Sequence, residues 1–311
     1  MGEKVVVLIG PTAVGKTKMS IELAKRLNGE IINGDSMQVY KGLDIGTAKI
    51  RQEEMEGIPH HLLDIKEPHE SFSVAEFQTL ARSLITDITK RGKLPIIVGG
   101  TGLYIQSVIY DYQFSDAPSN DVYRQSLERC SSDELYEQLK RVDPLSAERI
   151  HPNNIRRVIR ALEIYHCTGK TMTEWLKEQK RQLVYNVALI GLTMEREKLY
   201  ERINQRVDQM IDQGLIEEVK RLYEQGLRNC QSIQAIGYKE LYAYFARAIS
   251  LEEAIEQLKQ NSRRYAKRQF TWFRNQMPVQ WFDMTDDTIF ERRVNEILHY
   301  IEGKFHFQSN M

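Results

Sequence analysis

Residues 10–17 read Gly10-Pro11-Thr12-Ala13-Val14-Gly15-Lys16-Thr17, which fits the P-loop pattern of a glycine, four residues and then Gly-Lys-Thr. The loop follows the apolar run 5–9, which suits a buried parallel strand, and precedes apolar residues at helical spacing. The glycines let backbone N–H groups point at phosphate oxygens, and Lys16 adds a positive charge. The stretch therefore predicts an α/β fold with a binding site for a diphosphate or a longer phosphate chain.

A metal ion belongs to the same prediction. In a P-loop, the hydroxyl that follows the lysine is a ligand for Mg²⁺, so Thr17 is the predicted metal ligand and Mg²⁺ the predicted cofactor. The alternative is a glycine-rich turn between a strand and a helix that binds no ligand. The motif leaves open which phosphate compound binds, and whether its phosphate is transferred or released.

The composition is that of an ordinary globular protein, since 41% of the 311 residues are hydrophobic and 28% are charged. Lysine and arginine balance aspartate and glutamate at 43 each, so contact with a nucleic acid would have to come from local clusters of basic residues. No apolar run is as long as a membrane span, and the N-terminus enters a strand without a signal-peptide pattern. We therefore expect a cytoplasmic protein that has no membrane partner and acts as a monomer.

Four further apolar runs, at 30–32, 94–98, 187–192 and 279–282, predict buried strands. With the helical patterns between them, they predict a P-loop NTPase-like parallel sheet flanked by helices. Residues 42–70 are expected to form a loop in which the adjacent His60 and His61 are structural. Residues 114–184 show helical patterns only. We therefore expect an inserted all-helical domain at 114–184 and a core domain formed by 1–113 and 185–311.

Two of the predicted strands lead into polar residues. The strand at 30–32 is followed by Asp35, and the strand at 94–98 by two glycines and Thr101. Because the carboxyl ends of parallel strands share one edge of a sheet, both side chains should lie near the P-loop. Asp35 is a candidate for the chemistry, with a turn or capping aspartate as the alternative. The glycines suggest the close approach of a bulky ligand to which Thr101 hydrogen-bonds, with a surface threonine in a tight turn as the alternative.

Basic residues cluster at three helical segments. Arg156 and Arg160 lie four residues apart, as do Arg202 and Arg206, and the segment 263–274 mixes basic with aromatic residues and contains no acidic one. Such a segment suits a phosphate backbone with stacked bases. A basic outer face over a buried aromatic stripe gives the same pattern, and the spacing does not separate the two. For Arg156 and Arg160 the alternative is a solvated basic face.

Seven segments, in this order along nearly the whole chain, resemble the bacterial tRNA dimethylallyltransferases. They are Gly-Pro-Thr-Ala-Val-Gly-Lys-Thr (10–17), Asn-Gly-Asp-Ser-Met-Gln (33–38), Ile-Gly-Thr-Ala-Lys (45–49), His-His-Leu-Leu-Asp-Ile (60–65), Gly-Gly-Thr-Gly-Leu-Tyr (99–104), Arg-Arg-Val-Ile-Arg-Ala-Leu-Glu (156–163) and Ala-Ile-Gly-Tyr-Lys-Glu (235–240). The resemblance implies that dimethylallyl diphosphate donates its dimethylallyl group to the exocyclic amine of the adenosine just 3′ of the anticodon in tRNA, with release of diphosphate. Two departures are expected from the sequence: Ile50 stands where the family usually has proline, and no counterpart of the zinc-finger extension of the eukaryotic relatives is seen.

The resemblance also implies roles for single residues. Asp35 would be the general base, Thr101 a partner of the substrate, and Arg202 or Arg206 a ligand of the diphosphate. The other ligands of the diphosphate would be the P-loop residues Gly10, Pro11, Thr12, Ala13, Val14, Gly15, Lys16 and Thr17. Contacts with the anticodon stem-loop of tRNA would come from Asp35, Ser36, Met37, Gln38, Thr101, Arg124, Arg156, Arg157, Val158, Ile159, Arg160, Gln234, Ala235, Ile236, Gly237, Tyr238 and Lys239.

Two other classes of protein share part of this pattern. A P-loop small-molecule kinase would use the same loop and could use Asp35 to accept a hydroxyl proton, but it leaves the basic and aromatic segment 263–274 without a role. An RNA-binding protein switched by a nucleotide would produce no modified RNA.

Overall fold

The structure is a computed structural model that describes residues 2–114, 121–179 and 181–305. The chain divides into two compact units, one formed by Met1–Ile109 with Leu183–Met311 and the other by Tyr110–Gln182. The sequence pattern places these boundaries at 114 and 184. The smaller unit begins earlier because its first and last segments meet, with the backbone N–H of Asp111 donating to the carbonyl of Gln182 at 2.8 Å.

The larger unit is built on a sheet of six strands. They are β1 (Lys4–Ile9), β2 (Gly29–Asn33), β3 (His60–His61), β4 (Leu94–Gly99), β5 (Asn186–Thr193) and β6 (Gln280–Asp283). The order across the sheet is β3-β2-β4-β1-β5-β6, and every pairing is parallel. This confirms the predicted parallel sheet and puts β1, the strand before the P-loop, in its interior.

Strand β3 was not predicted. It pairs with β2 through His60 opposite Ile31 and His61 opposite Ile32, and two residues are too few for a periodic pattern to be seen in the sequence. The ring Nε2 of His61 lies 2.8 Å from the buried carboxylate of Glu30, so this histidine belongs to the edge of the sheet.

The helices are numbered in chain order. The larger unit contains α1 (Lys16–Arg26), α2 (Val74–Lys90), α3 (Gly102–Ile109), α9 (Arg196–Asp212), α10 (Leu215–Glu224), α11 (Tyr238–Phe245), α12 (Leu251–Gln276) and α13 (Phe290–Phe305). The smaller unit contains α4 (Asp121–Glu128), α5 (Ser132–Val142), α6 (Pro144–Arg149), α7 (Ile155–Thr168) and α8 (Met172–Glu178). Short 3₁₀ turns lie at Gln52–Met55, Ser232–Gln234 and Asp287–Ile289.

The smaller unit has a core of its own. Asp143 is buried between α5 and α8, where its carboxylate accepts from the backbone N–H groups of Ser146 at 3.1 Å and Thr173 at 2.9 Å. Leucines and other apolar residues of α4 to α7 form the core itself: Leu127, Leu135, Leu139, Ala147, Val158, Ile159, Ala161 and Leu162.

None of the helices in the described part of the chain combines the length and the apolar character that crossing a membrane requires.

Candidate active site

The P-loop joins the end of β1 to the start of α1. Gly10 and Gly15 have φ angles of 154° and 100°, values that favour glycine, and α1 begins directly after Gly15. The Lys16 ammonium donates to the carbonyls of Gly10 at 3.0 Å and Pro11 at 2.7 Å, so it lies across the loop. Burial and the nearby charge of Arg206 lower the pKa of Lys16 to about 7.

A cavity of about 580 Å³ opens beside the helix that follows the loop. Its wall includes the exposed Thr17, several residues of the segment 44–56, and Arg206 of α9. Among the residues that the structure describes, no three His, Cys, Asp or Glu side chains are grouped to hold a metal ion. Thr17 suits Mg²⁺ nonetheless, because this ion is commonly bound by one or two protein oxygens together with phosphate oxygens of a ligand.

Asp35 follows the end of β2 and is half-buried. Its Oδ1 accepts from the backbone N–H groups of Met37 at 2.8 Å and Gln38 at 3.4 Å, which is the geometry of an aspartate-initiated turn. Within the described residues, no hydrogen bond engages Oδ2. Burial raises the pKa of the carboxyl, while the turn N–H groups and the charges of Lys16 and Arg206 oppose this rise.

Thr101 lies next to this turn, as the strand order requires. Its hydroxyl oxygen accepts from the backbone N–H of Ser36 at 3.3 Å, and the hydroxyl lies 3.5 Å from that of Ser36. The end of β4 therefore holds the segment 35–38 in place. The side chain of Gln38 is also engaged within the protein, since its amide donates to the carbonyls of Thr47 and Ala48 at 3.0 and 3.3 Å.

The glycines around Thr101 do not make room for a ligand, contrary to expectation. A Cβ on Gly99 would stand 2.4 Å from the carbonyl oxygen of Gly34, and one on Gly100 would stand 2.0 Å from the amide nitrogen of Gln269. A Cβ on Gly102 would stand 2.1 Å from the ring of Trp272. The protein itself fills this space, so the glycines permit close packing of β2, β4 and α12.

The two arginines of α9 face different partners. Arg202 forms an ion pair with Asp287. Arg206 is half-buried at the wall of the cavity, where it acts electrostatically on both Lys16 and Asp35. Only Arg206 is thus oriented toward the P-loop. Burial lowers its pKa, and the carboxylates of Glu54 and Asp35 oppose the change.

Two residues of α12 that the sequence did not single out also reach this region. The buried side chain of Gln269 contacts the P-loop and the turn after β4. The hydroxyl of Tyr265 lies near the side chains of Thr101 and Gln269, which favour its ionised form. Burial raises the pKa of Tyr265 to about 12. Their spacing of four residues was visible in the sequence, but it was interpreted only as part of an aromatic and basic stripe.

The rest of that stripe divides by face. Phe273 is fully buried, whereas Lys267, Arg268 and Arg274 are exposed. The guanidinium of Arg274 lies over the ring of Phe270, 4.1 Å from its centroid. The segment therefore has a buried aromatic side and an exposed cationic side.

The residues of α7 with a predicted role in tRNA contact also separate into two groups. Arg156, Arg157 and Arg160 are exposed, but Val158 and Ile159 have only 0% and 3% of their surface exposed and pack in the core of the smaller unit. The prediction was wrong for these two side chains, because the helix turns them inward. Elsewhere in this unit, Arg124 pairs with Glu128 at 3.3 Å and with the buried Glu163 at 3.5 Å.

The segment 234–239 needs the same correction. Gln234 and Lys239 are exposed and Ile236 is partly buried, but Ala235, Gly237 and Tyr238 are buried. The Tyr238 hydroxyl donates to Glu218 at 2.6 Å, so this tyrosine is not available to contact tRNA.

Glu218 explains why that tyrosine is buried. Its carboxylate accepts from the backbone N–H groups of Asp44, Ile45 and Gly46 at 2.9 to 3.2 Å, in addition to the Tyr238 hydroxyl. Residues 44 and 45 belong to the wall of the cavity. Glu218 and Tyr238 therefore hold one wall of the candidate site.

Comparison with known proteins gives a consistent result. The family model described as IPP transferase matches residues 38–276. A curated protein of Anoxybacillus flavithermus named tRNA dimethylallyltransferase is 94% identical over 311 residues, which is 100% of both chains.

Solved structures are similar over the same length. The tRNA isopentenylpyrophosphate transferase of Bacillus halodurans is 57% identical with a TM-score of 0.76, and the similarity covers 98% of this chain and 97% of that one. A eukaryotic dimethylallyltransferase, described as acting on tRNA, is 35% identical with a TM-score of 0.85 over 98% of this chain and 79% of its own. The chain belongs to the IPP transferase family.

Proposed function

We propose that the chain transfers a dimethylallyl group from dimethylallyl diphosphate to the exocyclic amine of the adenosine just 3′ of the anticodon in tRNA. The observation that carries this proposal is the meeting of three strand ends. They bring a phosphate-binding loop, a carboxylate with one unengaged oxygen at Asp35, and the hydroxyl of Thr101 to one edge of the sheet. A reaction that displaces diphosphate and also removes a proton needs these groups side by side.

The donor diphosphate binds at the P-loop in this proposal. Backbone N–H groups of the loop and the start of α1 provide positive potential, and Lys16 provides a charge. Arg206 is the arginine that completes the site, because Arg202 is paired with Asp287. Mg²⁺ held by Thr17 would neutralise charge on the diphosphate.

Asp35 acts as the general base. The exocyclic amine of adenine is a weak nucleophile because its lone pair is delocalised into the ring, so its proton must leave as the new N–C bond forms. The C–O bond between the dimethylallyl group and the diphosphate breaks in the same displacement, and Oδ2 of Asp35 receives the proton. Burial favours this role because it raises the pKa of the carboxyl and makes it a better proton acceptor.

The acceptor tRNA binds through exposed basic side chains. The larger unit offers Lys267, Arg268 and Arg274 on α12, and the smaller unit offers Arg156 and its neighbours on α7. The target adenosine must leave its stack to reach Asp35 and Thr101. We also propose that the protein works as a monomer in the cytoplasm.

The test is incubation with unmodified tRNA and labelled dimethylallyl diphosphate, in parallel with labelled ATP and candidate small acceptors. Label that enters tRNA from the first donor supports the proposal. Label that passes from ATP to a small molecule, with none entering tRNA, would replace it with the kinase function.

A further inference from the structure

The side-chain amide of Gln269 joins the P-loop to the turn after β4. Its oxygen accepts from the backbone N–H of Thr12 at 3.0 Å, and its nitrogen donates to the carbonyl of Gly100 at 3.1 Å. Only 6% of its surface is exposed. One side chain thus satisfies polar groups on both loops that border the proposed site.

The space around this amide leaves little freedom. Because a Cβ on Gly100 would stand 2.0 Å from the Gln269 nitrogen, the backbone of the turn lies directly against the amide. The hydroxyl of Tyr265, one helical turn earlier, lies near the side chains of both Gln269 and Thr101. Gln269 therefore joins Thr12 of the P-loop directly to Gly100, the residue before Thr101.

We propose that Gln269 is a positioning residue that sets the P-loop at a fixed distance from Thr101 and Asp35. The inference rests on the proposed function, since this distance separates the leaving diphosphate from the nucleophile and the base. A displacement of about 1 Å between reacting groups can reduce a rate by roughly 100-fold. An anchored loop also binds diphosphate more tightly, because less of its freedom is lost on binding.

Glutamine suits this position because it both donates and accepts. A Gln269→Glu variant could still accept from the Thr12 N–H, but its carboxylate would present an oxygen to the Gly100 carbonyl, where repulsion replaces a hydrogen bond. A Gln269→Met variant keeps nearly the same side-chain length and volume but makes neither hydrogen bond. The methionine variant is the cleaner test, because it introduces no charge beside a bound anion.

The experiment compares wild type, Gln269→Met and a control, Gln260→Met, which alters an exposed glutamine on the same helix. Three quantities are measured well below the unfolding temperature: the Kd of inorganic diphosphate by calorimetry, the single-turnover transfer rate with saturating substrates, and the Kd of tRNA. For Gln269→Met we expect about tenfold weaker diphosphate binding and a transfer rate lower by about 10- to 100-fold, with tRNA binding unchanged. The control should match wild type.

A folded Gln269→Met variant that stays within about twofold of wild type in diphosphate Kd and transfer rate overturns the inference. An unchanged diphosphate Kd and transfer rate together with a lower Tm would show that Gln269 is purely structural, which overturns the inference as well. If Gln269→Met does not fold, Tyr265→Phe removes the hydroxyl that lies near both Gln269 and Thr101, and it should lower the transfer rate severalfold without weakening tRNA binding. If the wild type does not modify tRNA, the proposed function fails while the diphosphate measurement still decides the role of Gln269.

Discussion

The contribution of Lys16 to diphosphate binding should weaken as the pH rises above neutrality, because Lys16 loses its charge there. Burial and the charge of Arg206 lower the pKa of Lys16 to about 7, and Asp35 opposes this change. With such a pKa, about nine in ten free molecules carry the charge at pH 6, and only about one in ten at pH 8. The lysine most expected to bind phosphate is thus largely neutral at pH 8 until a ligand arrives.

The size of the effect follows from two quantities. A hydrogen bond from a charged group contributes about 1.5–3 kcal/mol, so a charged Lys16 should tighten diphosphate binding by roughly 10- to 150-fold at pH 6. Charging Lys16 at pH 8 costs about 1.4 kcal/mol, which is one pKa unit and a factor of about ten in Kd. The factor by which Lys16 tightens diphosphate binding should therefore fall about tenfold between pH 6 and pH 8.

Calorimetry on wild type and a Lys16→Met variant, from pH 6 to pH 8.5, measures this factor as the ratio of the two Kd values for inorganic diphosphate. The ratio cancels the titration of diphosphate itself. Wild-type binding at pH 8 should also take up a proton, seen as a difference in heat between two buffers with unlike ionisation enthalpies. A ratio that stays constant over the whole range, without proton uptake, would refute the lowered pKa.

Three further predictions concern other parts of the protein, and each is tested by substitution. Asp35→Asn should lower the single-turnover transfer rate by roughly two to four orders of magnitude, while the affinities for tRNA and donor stay within a few fold of wild type. A transfer rate within about threefold of wild type would contradict the general-base role. Since burial raises the pKa of Asp35, the wild-type rate should also increase as the pH rises through that value, and the variant should lack this increase. Glu218→Gln should reduce the free energy of unfolding, measured in urea, by about 1–3 kcal/mol, because the variant loses several hydrogen bonds. Tyr238→Phe loses only one hydrogen bond and should reduce it by about 1 kcal/mol. Equal effects of the two variants would contradict the role of the Glu218 carboxylate in holding the 44–46 backbone. The double variant Lys267→Gln, Arg268→Gln should weaken tRNA binding while donor binding stays intact. The slope of log K for tRNA against log salt concentration should fall by about one unit per lost phosphate contact. An unchanged slope would show that these residues form only a solvated face.

The sequence was sufficient where a pattern was long or local. The P-loop needs only one strand, eight residues and one helix, and Asp35 and Thr101 follow strands that the structure pairs directly. The rule that parallel strands share a carboxyl edge then predicts that these residues meet. The two-residue strand β3 lies below the length at which any period can be recognised.

Contacts between distant parts of the chain were beyond prediction. Gln269 meets Thr12 and Gly100 across 257 and 169 residues of sequence, and nothing near Gln269 indicates which turn of α12 faces them. Family segments gave a similar difficulty, because each contains both exposed and buried residues. Val158 and Tyr238 stand in such segments, yet they pack inward and stabilise the exposed positions beside them.

The turn role and the catalytic role of Asp35 are compatible, although the sequence presented them as alternatives. The turn occupies Oδ1, which accepts two backbone N–H groups and thereby fixes the plane of the carboxylate. Oδ2 is then held in a set direction within the field of Lys16 and Arg206. A base whose orientation is determined before the substrate binds need not be ordered during the reaction, so the turn contributes to catalysis by preorganisation. It follows that an asparagine at this position should preserve the fold of the loop while removing the chemistry, which is why Asp35→Asn separates the two roles better than alanine would.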